Sequence, residues 1–559
     1  MQQADLSVEF GEIIETPTLF PEERGRLEVT VTNNGNRRSG RNTSLNLYAS
    51  TDTVLDDEIL NTSTDTIAGT DIDALQGTDE LLGTIGGSQL NLRPGQSRTL
   101  TIDFASDDFQ TTSVVSPGAY NLIAEVDSPR DNNSSNNTAT QFISSDGTDV
   151  VLDWNSTFLN AVQAEGKAEL NLKLPQDSTS LDDIAGVAPP VEARNGAILH
   201  LAVYNAVSNV PEGASQEAAA VGAAFTVLSD LFPEQRATFE AQRDRSLEEL
   251  QIDLNTENPD FMLGVQVANA LLAERRNDGA SQAQVPYEPG TAPGDYQETR
   301  EDGPVTALLP NWGFVVPFAI NSPVSFRPEG PPAFSSPRYA EEIEEVRRLG
   351  AIVDTDVTSI ERTDDETEIA QFWAYDRPDT FRPPGQWNGI AQEVALDRGN
   401  SLEDNALLFA QLNVAMADAG IVAWDAKYAY EQIRPVNAIA NADSDNNPNT
   451  IADPDWEPLL TTPNFPDYIS GHSAFGGAAA GVLQDFFGED VNFEIPTQEL
   501  PGVTREFTSL GSTSSFELAA RENADSRLFG GVHVDISNVD GVDVGLDVAS
   551  SVLESDLFI

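Results

Sequence analysis

The stretch Phe465-Pro-Asp-Tyr-Ile-Ser-Gly-His-Ser-Ala-Phe-Gly-Gly-Ala-Ala-Ala480 feeds a turn into a helix so rich in Gly and Ala that it is built for close packing against other helices. Ser470 and Gly471 fall at the helix N-terminus. Free backbone N–H groups, the positive end of the helix dipole and the Ser470 hydroxyl make such a turn an anion site, and His472 is placed there for proton transfer. Taken alone, the segment also reads as an ordinary serine cap on a buried helix.

Two flanking segments sharpen the reading. Upstream, Lys427-Tyr-Ala-Tyr-Glu-Gln-Ile-Arg434-Pro435 spaces two cations seven residues apart. On a continuous helix that puts both on one face, two turns apart, with Pro435 expected to end the helix. Downstream, Ser526-Arg-Leu-Phe-Gly-Gly-Val-His-Val-Asp535 separates Arg527 from His533 by six residues. They would face apart on an unbroken helix, but Gly530-Gly531 can break it and turn both to one point. Arginine brings a planar fork for oxyanions, and imidazole a nitrogen ligand or nucleophile. Each segment has a plainer reading, a solvated basic face or a capped helix with a core histidine. The whole chain has only three histidines, however, and two fall within these segments.

In order and spacing the three segments resemble the motif Lys-x6-Arg-Pro, Pro-Ser-Gly-His, Ser-Arg-x5-His of vanadium-dependent haloperoxidases and the wider superfamily of type-2 phosphatidic acid phosphatases. The resemblance runs from about Val150 to Leu557, because Leu152-Asp-Trp-Asn155, Phe372-Trp-Ala-Tyr-Asp376 and Gln386-Trp-Asn-Gly-Ile390 also look like the bacterial haloperoxidase type. It implies that Lys427, Arg434 and Arg527 bind vanadate oxygens together with Ser470 and the Gly471 amide. It also implies that His533 is the vanadium ligand and His472 the acid–base residue. Trp424 and Phe465 match positions that line a halide pocket, and Asp376 matches a carboxylate that orients an oxyanion arginine. The chain departs from the pattern at Ile469, where proline is usual, and at Ser537, where the family often has an acid four residues after the last histidine. Asp535 lies two residues closer. The third histidine, His200, sits on the apolar face of Ile198-Leu-His-Leu-Ala-Val-Tyr204 and reads as core.

Working outward, 559 residues exceed one compact core and predict at least two domains. Residues 1–145 read as an antiparallel β-sandwich, with alternating strands at Leu27–Val31, Leu45–Leu47, Leu100–Phe104 and Tyr120–Val126 between Gly, Pro, Asn and Asp clusters. Val31–Asn36, Tyr48–Asp52, Leu92–Gly95 and Asp131–Asn137 resemble the CARDB family of bacterial cell-surface Ig-like domains. That implies an adhesion or spacer module. Past the Ser144–Asp149 connector, residues 146–559 read as a large, mostly α-helical bundle. Its apolar periodicity is clearest at Ala197–Val207, Gln216–Leu231, Pro233–Leu250, Phe261–Arg275, Leu402–Ala419, Ser473–Phe487 and Val542–Leu557. A Pro/Gly-rich section, Pro286–Pro337, carries buried-looking aromatics at Trp312, Phe314 and Phe318.

Ninety-one acidic against thirty basic residues give a formal charge of −61, which excludes nucleic acid as a partner on electrostatic grounds. Acidic loops such as Asp52–Asp57 invite calcium, although this one lacks the EF-hand ligand pattern. With no cysteine, disulfides and thiolate metal sites are out. Apolar runs such as Ala478–Leu483 are too short to span a bilayer, so no transmembrane segment is expected. Met1–Asp5 has neither a basic nor an apolar signal region, yet the Ig-like module points to an exported protein.

The leading functional expectation is therefore an oxidoreductase that uses hydrogen peroxide to turn halide into hypohalous acid at vanadate, halogenating a small organic acceptor. The alternatives are a phosphomonoesterase of the same superfamily, with His533 as nucleophile, and a surface or matrix protein whose catalytic domain serves as scaffold. Family members are often oligomeric, so homo-oligomers or cell-surface association are left open.

Overall fold

The computed structural model describes residues 4–15, 24–40, 42–50, 80–86, 90–105, 119–131, 136–144, 149–171, 188–211, 213–252, 258–297, 307–445, 447–500 and 503–558. The chain divides into two compact units, Met1–Thr157 and Phe158–Ile559. The Asp52–Asp57 loop lies outside the described residues, as do parts of the Tyr48–Asp52, Asp131–Asn137 and Ser144–Asp149 stretches.

The first unit holds two antiparallel sheets. β1 (Leu6–Glu15), β2 (Arg24–Asn33) and β5 (Ser97–Ala105) form one in the order β1-β2-β5. β3 (Ser44–Ser50), β4 (Glu80–Gly86), β6 (Ala119–Asp127) and β7 (Thr138–Ser144) form the other in the order β4-β3-β6-β7. Register follows the period-2 pattern. Val29 pairs with Leu100 and Phe10, and Leu47 with Ala124, so alternate residues of both sheets reach one shared cluster that includes Leu27, Val31, Leu45, Ile102, Leu122 and Val126.

A helix spanning the division, α1 (Val150–Asn171), leads into the second unit. There follow α2 (Pro189–Ser208), α3 (Gln216–Leu231), α4 (Arg236–Glu249), α5 (Pro259–Arg275), α6 (Pro337–Leu349), α7 (Asp364–Phe372) and α8 (Arg382–Arg398). The site-bearing end comprises α9 (Leu402–Tyr430), α10 (Pro435–Ala440), α11 (Gly471–Phe487), α12 (Ser515–Phe529) and α13 (Asp535–Leu553), with a small hairpin of β8 (Phe493–Pro496) and β9 (Thr504–Phe507).

α9 is the axis of the bundle. Ser401 and Asp404 close a capping box at its start, and the helix runs eleven residues beyond Ala419. Among the described residues it is the one helix long and apolar enough to cross a membrane. Its apolar window is 89% buried within the protein, because neighbouring helices cover it on all sides. Asp418, fully buried on α9, accepts the backbone N–H groups of Phe318, Ala319 and Ile320 at 2.7, 2.8 and 3.0 Å and so ties down the Pro/Gly-rich section. Within that section Trp312 is buried and Phe318 half-buried under the Arg275 guanidinium, but Phe314 is 79% exposed, a correction to its expected burial. It sits in a single 3-10 turn between Trp312 and Val315, and one turn cannot face all three inward.

The Gly/Ala run of α11 packs against α13 at backbone distance. A Cβ on Gly477 would lie 2.2 Å from the Val542 carbonyl oxygen, and one on Gly545 2.4 Å from that of Ala474. No flexible group can yield at either point. Gly477→Ala is therefore expected to lower unfolding stability by about 3 kcal/mol or more, read from denaturant midpoints; a change below about 0.5 kcal/mol would show that the seam is soft.

Candidate active site

Lys427 occupies the last turn of α9, and Glu431 then takes a left-handed conformation with φ 49° that stops the helix. Arg434 is consequently not on the same helix face as Lys427. It caps α10, and Pro435 begins that helix rather than ending the previous one, since an N–H in the first turn has no acceptor within the helix and proline gives up nothing by lacking it. The two cations meet nonetheless, on the main chain of the turn before α11. Lys427 Nζ donates to the carbonyls of Pro466 and Asp467 at 2.9 and 2.8 Å, and Arg434 Nε donates to that of Phe465 at 2.7 Å. Both side chains are completely buried.

The same turn ends in Ser470, the cap of α11, whose Oγ accepts from the Ser473 N–H and lies 2.9 Å from the Ser473 hydroxyl. Ile469 is fully buried beside it. Gly471 and His472 follow as the first helical residues, where N–H groups have no acceptor within the helix. A Cβ on Gly471 would come 3.2 Å from the Trp424 ring, so the helix start presses against that indole.

From the other side, α12 ends at Phe529, the chain turns through Gly531 at φ 75°, and the N–H groups of Val532 and His533 fold back onto the Arg527 carbonyl at 3.1 and 3.3 Å. Arg527 is fully buried and pairs through Nη2 with Asp376 Oδ2 at 2.5 Å. His472 Nε2 lies 2.8 Å from the Ala374 carbonyl and 4.0 Å from Asp376 Oδ1. A carbonyl only accepts, so Nε2 carries the proton and Nδ1 is the acceptor. His533 is oriented the opposite way. Arg434 Nη1 lies 3.1 Å from its Nε2, and Asp467 and Ser537 Oγ (3.2 Å) contact its Nδ1. Asp535 makes no such contact; as the first residue of α13 it points away, and its charge acts on Glu342 and Glu345.

Three buried cations crowded together are costly, and the titration shifts show it. Burial, then the charges of Arg434 and Arg527, hold the Lys427 ammonium well below its ordinary range, and burial brings Arg434 down to about 10. Burial and the surrounding cations keep His533 neutral, and burial with Arg527 lowers His472 to about 3. Asp467 is pushed up by burial to about 6 against the pull of Arg434 and Lys427. For Asp376 burial also acts upward, but Arg527 and His472 overcome it and the carboxyl stays below its usual range.

Donors are left over. Arg434 Nη2 and Arg527 Nε are buried without a hydrogen-bond partner, and Lys427 has used two of its three protons. A compact oxyanion matches this set, since it would satisfy the spare donors and offset the crowded positive charge. Vanadate fits: Lys427, Arg434 and Arg527 would take its oxygens with the α11 N-terminus, and His533 offers Nε2. Trp424 and Phe465 stand 5.0 Å apart between ring centroids, with Lys427 Nζ 4.8 Å from the Phe465 ring. Among the described residues, no cluster of three or more His, Asp or Glu suited to a metal cation such as calcium is found. His200 stacks on Phe409 at 5.2 Å in the core, far in chemistry from this cluster.

Asp467 was not singled out from the sequence as a site residue. It stands inside the quoted Phe465–Ala480 stretch, but its partner is 66 residues away and no spacing rule connects them.

Comparison with known proteins finds relatives of the helical unit. Residues 407–557 match the model of the VCPO second helical-bundle domain. The vanadium chloroperoxidase of Curvularia inaequalis is 27% identical, the match covering 62% of this chain and 74% of that protein. The crystal structure of a bacterial vanadium-dependent iodoperoxidase is 28% identical with a TM-score of 0.57, covering 72% of this chain and 98% of the other. An apo-type bacterial vanadium-dependent chloroperoxidase, 17% identical, shares the fold at a TM-score of 0.52 over 69% of this chain and 96% of its own. The helical unit is thus similar to vanadium haloperoxidases in sequence and fold, and residues 407–557 match their second helical-bundle domain.

Proposed function

We propose that this chain oxidises halide with hydrogen peroxide, X⁻ + H2O2 + H⁺ giving HOX + H2O, and that the hypohalous acid halogenates a small organic acceptor. The observation that carries the proposal is the buried, under-satisfied set of Lys427, Arg434 and Arg527 around two neutral histidines. Vanadate, when bound, supplies a non-redox Lewis acid that polarises peroxide. The chain's own part is electrostatic and protonic. The three cations and the Ser470–Gly471 helix start hold the oxyanion, and Asp376 keeps Arg527 aimed. His533 presents an unprotonated Nε2 as the ligand nitrogen, and His472 accepts and returns peroxide protons at Nδ1. Trp424 and Phe465 give the halide a dry aromatic wall next to the Lys427 charge.

The aromatic pair favours peroxidase over phosphomonoesterase chemistry. The test is a vanadate-loaded sample assayed for peroxide-dependent halogenation with chloride, bromide and iodide, beside hydrolysis of p-nitrophenyl phosphate. Halogenation is expected; phosphate release without it would install the phosphatase, and neither activity would leave a scaffold. The N-terminal unit is read, on its turn motifs and two sheets, as a CARDB-like Ig-type spacer of an exported bacterial protein.

A further inference from the structure

The carboxylate expected four residues after His533 is a serine here, and the ring needs another orienting group. We propose that Asp467, reaching in from the turn before α11, is the positioning residue that fixes the His533 tautomer and turns Nε2 toward the oxyanion. This inference rests on the proposed vanadate site.

The assignment follows from donor and acceptor chemistry. An arginine only donates, so the Nη1 of Arg434, 3.1 Å from His533 Nε2, requires a lone pair on that nitrogen. The proton must then sit on Nδ1, where Asp467 Oδ1 receives it. Ser537 Oγ, 3.2 Å from Nδ1 and from the Asp467 carbonyl, completes the cage without a charge. Asp467 is itself fully buried, and its N–H donates to the Gln432 carbonyl at 3.0 Å, which fixes the main chain from which the carboxylate reaches His533. The acid has moved from the helix carrying the histidine to the turn carrying the oxyanion donors. Three consecutive residues, Phe465, Pro466 and Asp467, therefore set both the Lys427 and Arg434 anchors and the His533 ring.

The test uses the full chain with 15N-labelled histidine, which gives only three imidazoles to assign, and vanadate binding by equilibrium dialysis. In the vanadate-free protein, His533 is expected as the Nδ1–H tautomer. Asp467→Asn keeps the shape but lets an amide donate to Nδ1, so the proton is expected to move to Nε2 at the expense of the Arg434 Nη1 contact there, and the vanadate dissociation constant to rise about 10- to 100-fold. An Asp467→Asn protein that binds vanadate within twofold of the unaltered chain, or weakens without a change of tautomer, overturns the proposal. So does an unaltered chain whose His533 proton is already on Nε2, a result that needs no variant to fold. Failure of the unaltered chain to bind vanadate strikes the functional reading instead, and the tautomer measurement still decides the role of Asp467.

Discussion

Lys427→Met is expected to raise the vanadate dissociation constant by at least about 100-fold and to remove halogenation at any practical vanadate concentration. The ammonium is fully buried, two of its protons are fixed on the Pro466 and Asp467 carbonyls, and the third is the only one free for a ligand. Removing one partner from a buried charged contact costs about 2–5 kcal/mol, because the remaining groups cannot turn to water. Methionine fills the same volume, so the loss reads as charge and not as a cavity. The formal charge of −61 offers a control. If the long-range field governed binding, raising salt from 0.1 to 0.5 M would change affinity as much as the substitution does. With screening lengths of about 10 Å or less and all three cations fully buried, salt is expected to matter much less. Equilibrium dialysis decides, and affinity within tenfold of the unaltered protein would remove Lys427 from the site.

His472→Ala is expected to behave differently, cutting kcat for bromide by about 10²- to 10⁴-fold while vanadate binds within tenfold of normal. The reason is that His472 hydrogen-bonds the Ala374 carbonyl, outside the set of donors left over for the oxyanion. Steady-state rates with binding measured alongside separate the two effects; a variant keeping a tenth of the rate would end the acid–base assignment. The same residue has a stability signature. Its folded pKa, lowered to about 3 by burial and by Arg527, lies below the 6.5 of an unfolded histidine, so the unfolded chain takes up the proton first. Stability is then untouched above about pH 6.5 and falls by up to about 1.4 kcal/mol per unit as pH drops from there toward 3. His472→Ala should remove one share of that decline in vanadate-free protein, leaving those of the equally buried His200 and His533.

What the sequence made legible was local. Ser470 announces a helix start because a capping hydroxyl and the first free N–H groups are neighbours in the chain, and Gly530-Gly531 announces a break for an equally local reason. α8 went unseen because Pro383 and Pro384 look like loop, although a first turn tolerates both. α12 was hidden by its charged and polar residues, which dilute the apolar period. The Lys427–Arg434 spacing suggested the right meeting by the wrong route, since the left-handed Glu431 and the carbonyls of 465–467, not a shared helix face, bring the two together. Asp467 was beyond reach for the same reason, its contact being made only when two distant segments close.

Because Lys427 and Arg434 grip the peptide oxygens of Phe465, Pro466 and Asp467, and an oxygen of that kind is present whatever residue is there, their anchorage does not depend on the identity of those side chains. The hydrogen-bonded shape of the turn is thereby separate from its side-chain chemistry, which at Phe465 and Asp467 serves the ring wall and the His533 contact instead. A carboxylate could be gained at one position, and a proline exchanged for Ile469 at another, without loosening the cations overhead. Such a segment is a natural place for new acceptors and new halide preferences to be tried first.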